Sequence, residues 1–586
     1  MSDEKLSIEM MLCIVILIVY IVLAEIIEIK RVDFIHESGV AVFLGILVGL
    51  VIKYGLNQTV AFSESSLFYF IIPPIIFSAG YTLKKQNFIE NFSYILMFGL
   101  VGTLLCMMFL SYLIVGASHI IFTGESSSMR PDQYDCMLLA IMLCASDSVA
   151  ALTIIKKKDY PKLNSIVFGE SILNDAVSIL LVRTVEGYIL ATNESAAPST
   201  PGTDDTANDD VLKGRMLKSE NFSLLSSDGI SILASFCFMT LFSVLLGVLF
   251  GLLASFISKN VPTLRVHPAR EMFLILLFAY LGYVVSEMIE LSGIMAIFSC
   301  GMTMSYYTIY SMSQKSRKGS QLAVETIGHA AEAILFVYMG VSLFSIKVHQ
   351  MSIGFSFLVL FAAFIARAIS MVISYLMVCW CTEQIKLNQF AVIWFSGLVK
   401  GAIAFGLSAQ ISPEVSENRD FIMGTTLSIV LVSTIVLGGL MSVFARAVGL
   451  DKEKEMLRRI YASFEKGSKK EQAEAIADET GQSDEEFGDD IRGKILRMKS
   501  RAINFIVTFD RLVLQKYFGG ATPEDEERER EEEEVEEHEA LRIFAERHRS
   551  DFMTADHDLN DNKGKIFSTR RFLKFPFKLK GEENSA

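Results

Sequence analysis

Paired cysteines are missing from this chain: its eight are scattered through apolar stretches, and Cys379-Trp-Cys381 has neither a second pair nor a histidine beside it. That excludes a disulfide framework and a zinc site, and the cysteines read as packing residues. Missing too is the alternation of apolar and polar residues that soluble helices show; the 52% hydrophobic residues are bunched into long blocks. The first block, MLCIVILIVYIVLAEII at 11–27, lacks a basic leader and a small-residue cleavage site. It is therefore expected to be a spanning helix and not a removable signal peptide. Basic excess is also absent. The net charge of −13 is concentrated after residue 448, and neither a nucleic-acid partner nor a cofactor is expected.

What is present is an all-α polytopic membrane protein. Apolar blocks fall at about 8–28, 39–54, 64–80, 92–117, 136–156, 163–188, 228–258, 269–290, 293–308, 323–346, 353–381, 387–411 and 421–447. That predicts about thirteen transmembrane helices, an odd number that separates the termini. Lys30-Arg31, Lys84-Lys85, Lys156 to Lys158, Lys259 with Arg265 and Arg270, and Lys315 to Lys318 lie in alternate loops. These should be cytosolic, with the tail on the same side and the N-terminus outside. The sequons at Asn57, Asn193 and Asn221 fall in loops expected to face outward, and the one at Asn91 starts a helix on the cytosolic side and should stay bare.

A Ser, Thr, Pro and Asp-rich loop at 189–227 separates six spans from seven. Six spans, a linking helix and six more predict inverted six-helix repeats with two crossing interrupted helices, an arrangement that puts a site near the midplane. Three regions are expected: a transmembrane domain over 1–447, amphipathic cytosolic helices over 448–520 and a charged, disordered tail over 521–586. The stretch 492–518 mixes basic and apolar residues at helical spacing, so it either docks on lipid or a helix-binding partner, or packs under the membrane domain.

Acids inside apolar runs are the strongest functional signal, because a carboxylate at the centre of a membrane helix costs about 2.5–3.5 kcal/mol on insertion scales. In ESILND, Glu170 and Asn174 are four apart, as are Ser171 and Asp175, so the four can line one cavity. In ASDSVAAL the consecutive Ser146, Asp147 and Ser148 cannot share one helical face. They predict an unwound segment whose free carbonyls, with Asp147, could coordinate a cation. The matching break in the second half is expected within FSGLVKGAIAFG at 395–406, with Gly397, Gly401 and Gly406 allowing the bend. Lys400 there would neutralise either Glu170 or the carbonyl ends of a broken helix.

These motifs, with PPIIFSAGYTLKKQNFIENF at 73–92, ELSGIMAIFSCGM at 290–302, AEAILFVYMGVSLF at 331–344, IARAIS at 365–370 and WFSGLVKGAIAFGL at 394–407, resemble the successive motifs of eukaryotic sodium/proton exchangers in order and spacing. The likeness covers about residues 10–447; in the tail only FDRLVLQKYF at 509–518 resembles the family's post-membrane segment. The resemblance implies electroneutral exchange of Na+ or K+ for H+ by a homodimer, in the plasma membrane or an endosomal or vacuolar membrane, for pH and cation homeostasis. It makes Asp175 the carboxylate that binds cation or proton, Asn174 its partner in the Asn-Asp pair, and Asp147, Ser146 and Ser171 further ligands. Glu170 would form a structural ion pair with Lys400 or Arg367. Glu332 would steer cations in the cavity or meet amiloride-like inhibitors, and a calcium-binding protein or lipid would dock at 492–518.

Three departures stand out. Ser146-Asp147-Ser148 replaces the commoner Thr-Asp-Pro, and GLVKG carries one residue more than the animal Gly-Leu-Arg-Gly form with Lys for Arg. Both are closer to the plant vacuolar branch. Ser78 stands where the family usually has an acid. Two rival functions follow: a transport-inactive sensor or scaffold, motivated by Ser148 and Lys400, and an intramembrane aspartyl protease built on Asp147 and Asp175. Against the protease, neither acid lies in a Tyr-Asp or Gly-x-Gly-Asp signature.

Overall fold

The computed structural model describes residues 2–30, 37–55, 67–83, 88, 91–122, 130–155, 160–195, 227–344, 352–381, 385–449, 510 and 514–520. The sequons at Asn57 and Asn221, the side chain of Asn193, and the tail from 521 lie outside them. Regular structure among the described residues is helical. Helices α1 (Ser2–Lys30), α2 (Glu37–Gly55) and α3 (Ile72–Tyr81) are followed by α4 (Phe92–Ile121), whose turn Met97–Val101 is π-helical. The next helix is broken into α5 (Gln133–Met142) and α6 (Val149–Ile154). Then come α7 (Pro161–Ser195), α8 (Ser227–Asn260), α9 (Pro268–Met288), α10 (Gly293–Ser311), α11 (Gln314–Ser342) and α12 (Ile353–Cys381). A second broken helix follows as α13 (Leu387–Ser396) and α14 (Ala402–Gln410), and α15 (Arg419–Ala447) contains a π-helical turn at Ser433–Leu437.

Each of the thirteen apolar blocks is helical over much of its length, and eight helices among the described residues are long and apolar enough to cross a membrane unaided. The count of continuous spanning helices is lower than thirteen partly because polar breaks divide two of the blocks into pieces of 10 and 6 residues and of 10 and 9 residues.

Two sets of helices pack mainly among themselves. In one, α4 to α7 interlock with α12 to α15; in the other, α2, α3 and α8 to α11 lie together. Lipid is as apolar as leucine, so hydrophobicity alone does not join such helices, and close backbone approach and buried polar bonds do. Thus Ser255 of α8 and Thr308 of α10 share a 2.6 Å hydrogen bond, and a Cβ at Gly251 would come within 2.7 Å of Thr303 Cβ. The outward side of α8 presents Phe238, Leu241, Leu245 and Leu249, the face expected against lipid.

The entry to α5 is pinned by Asp135, whose carboxylate accepts from Ser416 Oγ at 2.6 Å, from Asn418 Nδ2 at 2.8 Å and from the Asp132 backbone at 3.1 Å. It holds the first broken helix to the turn after the second. Asn91 is buried, and the described cysteines Cys106, Cys136, Cys144, Cys237, Cys300 and Cys379 are free.

Of the 492–518 stretch, Asp510 and residues 514–518 are described, and they pack on the membrane domain itself. Asp510 accepts from Tyr306 Oη at 3.1 Å and Tyr307 Oη at 2.6 Å, and Lys259 Nζ donates to the Gln515 carbonyl at 3.1 Å.

Candidate functional site

Residues 143–148 and 397–401 are the two non-helical breaks, and they cross. The Asp147 backbone N–H donates to the Val399 carbonyl at 2.8 Å, and Gly401 lies so close to Asp147 that a Cβ there would be 3.1 Å from the aspartate Cβ. Asp147 Oδ1 accepts from the Val149 N–H at 2.9 Å, satisfying the first free amide of α6 from the residue before its N-cap. Its Oδ2 is buried and has no hydrogen-bond partner among the described residues. A buried carboxylate oxygen without a donor is available to a proton or a cation.

The face of α7 predicted to line the site meets this break. Ser171 Oγ donates to the Ser146 carbonyl at 2.8 Å, and Asn174 Nδ2 lies 2.9 Å from Ser146 Oγ. Asn174 is fully buried, whereas Asp175 beside it is partly exposed and faces the Ser146 backbone amide. The structure therefore brings Ser146, Asp147, Ser171, Asn174 and Asp175 together, an all-oxygen and amide set suited to a hard cation. Ser148 is the residue entering α6 and makes no side-chain cap there.

The two cation candidates for Glu170 separate cleanly. Arg367 Nη2 donates to Glu170 Oε1 at 2.6 Å, and both side chains are 1% exposed. Lys400 Nζ instead donates to the Gly397 carbonyl at 2.9 Å, neutralising the end of α13. A Cβ at Gly397 would run into the Arg367 guanidinium, which its burial and its ion pair with Glu170 hold in place. Gly406, expected to help the bend, is instead inside α14; Gly397 and Gly401 alone flank the break, and the helix resumes as soon as backbone bonds can form.

Glu332 lies outside the crossing. It is 28% exposed, 3.8 Å from His329 Nδ1, and within electrostatic reach of Asp147, Glu37 and Tyr20. One turn earlier Gly328 closes on Ser78, so that a Cβ at 328 would collide with the Ser78 side chain. Two contributors escaped the sequence reading. Thr103 of α4 lies 2.6 Å from Asn174 Oδ1, and the π-helical turn of α15 holds the second break, with Ser433 Oγ accepting from Lys400 N at 3.2 Å and Thr434 Oγ1 donating to the Lys400 carbonyl at 2.8 Å. Isolated hydroxyls in apolar helices usually bond their own preceding turn, so nothing local marked them.

Two crossed, interrupted helices inside a helical membrane protein define a secondary transporter of the antiporter fold. The fold matches that of the sodium proton antiporter MjNhaP1 from Methanocaldococcus jannaschii at pH 8, with a TM-score of 0.53 and 14% identity over 76% of this chain and 99% of that one. Residues 13–447 match the family model "Sodium/hydrogen exchanger, transmembrane". The chain is 31% identical to sodium/hydrogen exchanger 1 of Oryza sativa subsp. japonica, over 75% of this chain and 78% of that protein. It is 32% identical to human sodium/hydrogen exchanger 8 over 75% and 71%. This protein belongs to the sodium/hydrogen exchanger family. It is a multi-pass membrane transporter and not an enzyme, which sets the protease alternative aside.

Proposed function

We propose that the protein exchanges Na+ or K+ for H+ electroneutrally by alternating access, serving pH and cation homeostasis. The observation that carries this reading is the crossing itself, which gathers Asp175, the unpartnered oxygen of Asp147 and the Ser146 backbone at one place. A bare carboxylate in a poorly hydrated site is unfavourable, and either a proton or a cation relieves it. Proton and cation thus compete for Asp175, and the loser leaves when the winner binds. Asn174 contributes polarity without a further titrating charge, Glu170 is already neutralised by Arg367, and with Asp147 keeping one charge state through the cycle, one charge enters at Asp175 for each that leaves.

Access alternates if the set α4 to α7 with α12 to α15 moves against the set α2, α3 and α8 to α11, with the helices of the second set as the homodimer contact. Glu332 stands on α11, facing the site from the second set, where it would raise the local cation concentration. The exchanger unit is assigned to 1–447, the regulatory helices to 448–520 and the acidic tail to 521–586, both cytosolic; the stretch before Asp510 would meet lipid or a calcium-binding partner. The membrane is the cell surface or an endosomal or vacuolar membrane.

The test is proton flux in sealed proteoliposomes with an acidic lumen, adding Na+ or K+ outside, with wild type beside Asp175→Asn. Cation-driven alkalinisation that ignores membrane potential and vanishes in the variant is expected, and it names the ion. Absence of cation-dependent flux from folded wild type would replace this reading with the inactive sensor.

A further inference from the structure

Thr103 reaches the site from α4, and competition between proton and cation at Asp175 gives it no task. Its hydroxyl has a single hydrogen but two acceptors within bonding range: the Asn174 carboxamide oxygen at 2.6 Å and the Gly99 carbonyl one turn back on its own helix. One hydrogen cannot fully serve both. On the far side of the carboxamide, Asn174 Nδ2 lies 2.9 Å from Ser146 Oγ. Gly99, Thr103, Asn174 and Ser146 therefore form one chain of polar groups that ends at the break between α5 and α6. Thr103 and Asn174 are 0% exposed and Ser146 is 2% exposed, so each depends on its neighbours for satisfaction.

Such a chain has two self-consistent registers. In the first, Thr103 donates to Asn174 Oδ1, Asn174 Nδ2 donates to Ser146 Oγ, and the Ser146 hydrogen is left to point into the site. In the second, the carboxamide is turned end for end, a change that leaves its shape unaltered. Thr103 then donates to Gly99, Asn174 Nδ2 donates to Thr103 Oγ1, and Ser146 donates to Asn174 Oδ1. The second register frees the Ser146 lone pairs for a cation, whereas the first aims a hydrogen where a cation would sit.

The backbone favours such a device. Gly99 lies in the π-helical turn Met97–Val101, and its carbonyl accepts from the Thr103 hydroxyl one turn on. A Cβ at Gly99 would come within 2.8 Å of Leu173 Cβ, so only glycine lets α4 approach α7 closely enough for Thr103 to reach Asn174.

We infer that Thr103 is a positioning residue whose hydroxyl sets the hydrogen-bond register of Asn174, and through it decides whether Ser146 faces the site as a donor or as an oxygen ligand for the cation. The inference rests on the exchange reading above and deepens it.

The experiment uses the full chain in proteoliposomes and measures proton flux against the concentration of whichever cation, Na+ or K+, wild type transports. Thr103→Val keeps the shape and removes the hydroxyl; Thr103→Ser keeps the hydroxyl. The expected result is an apparent KM raised up to about tenfold in Thr103→Val, the scale of one net hydrogen bond, with the maximal rate per folded protein changed less, and a return toward wild type in Thr103→Ser. An unchanged KM in Thr103→Val, or a Thr103→Ser variant as impaired as Thr103→Val, overturns the inference while leaving the exchange reading intact. If Thr103→Val does not fold, Thr103→Ala is read by the same criteria. No cation-dependent flux in wild type overturns the exchange reading and the register with it.

Discussion

The amide of Asp147 donates to the carbonyl of Val399 at 2.8 Å, so the first helix break supplies a donor that the second needs. An unwound segment inside a membrane is tolerated only where its backbone groups find partners or line a cavity. Here each break is the other's partner, and the carboxyl of the same Asp147 is left facing inward with one oxygen unclaimed among the described residues.

Asp147→Asn separates the hydrogen bond to the start of α6 from charge. An asparagine oxygen still accepts the Val149 N–H, so the fold should hold, with a change in thermal unfolding within about 1 kcal/mol. Cation affinity should fall by tenfold or more in the flux assay. Wild-type affinity in a folded variant would remove Asp147 from the ion site.

Glu170→Gln should reduce the amount of folded protein, since it leaves the Arg367 guanidinium buried without its countercharge. Breaking one side of a buried pair costs about 3–5 kcal/mol. Detergent-extracted protein on a sizing column reads this directly. A variant that is stable and inactive would place Glu170 in the ion site instead.

The two glycines that flank the second break and Gly406 beyond it should rank in order. Gly397→Ala collides with the guanidinium of Arg367 and should be the worst tolerated; Gly401→Ala presses on Asp147 and should impair exchange more than folding. Gly406→Ala meets only Ile72, at 3.6 Å, and should be neutral or stabilising by up to about 1 kcal/mol. Thermal unfolding and flux on the three variants test the order.

Arg183 of α7 and Glu287 of α9 join the two helix sets through a 2.7 Å ion pair, with Phe68 under the guanidinium at 4.6 Å and the Gly293 N–H on the other carboxylate oxygen at 2.8 Å. A double-mutant cycle with Arg183→Gln and Glu287→Gln should show a coupling of about 0.5–3 kcal/mol in unfolding. Additive effects would show that the pair does not hold the sets together.

Asp510→Asn should loosen residue 510 and residues 514–520 from α8 and α10, because a neutral amide accepts more weakly from Tyr306, Tyr307 and Gln515. Limited proteolysis should cut the tail sooner, with the membrane domain unaffected. Equal cutting rates would mean that the remaining contacts, such as Ser311 Oγ to the Phe518 carbonyl, suffice.

The helical membrane class was readable from apolar blocks whose length matches a bilayer, and the first break from three consecutive polar residues, because both are properties of contiguous sequence. The shared face of Glu170, Ser171, Asn174 and Asp175 was readable for the same reason, through the four-residue spacing. Local rules misjudged Gly406, where helix formation resumed at once after the break.

Partner choice between distant segments had no such local trace. Arg367 is 197 residues from Glu170 and Thr103 is 71 from Asn174, and neither separation leaves a period in the sequence. Two basic residues, Lys400 and Arg367, were equally good mates for Glu170 on charge alone. Packing decided between them: α12 brings the guanidinium over the bare α-carbon of Gly397, while Lys400 is drawn to the carbonyl at the end of its own broken helix.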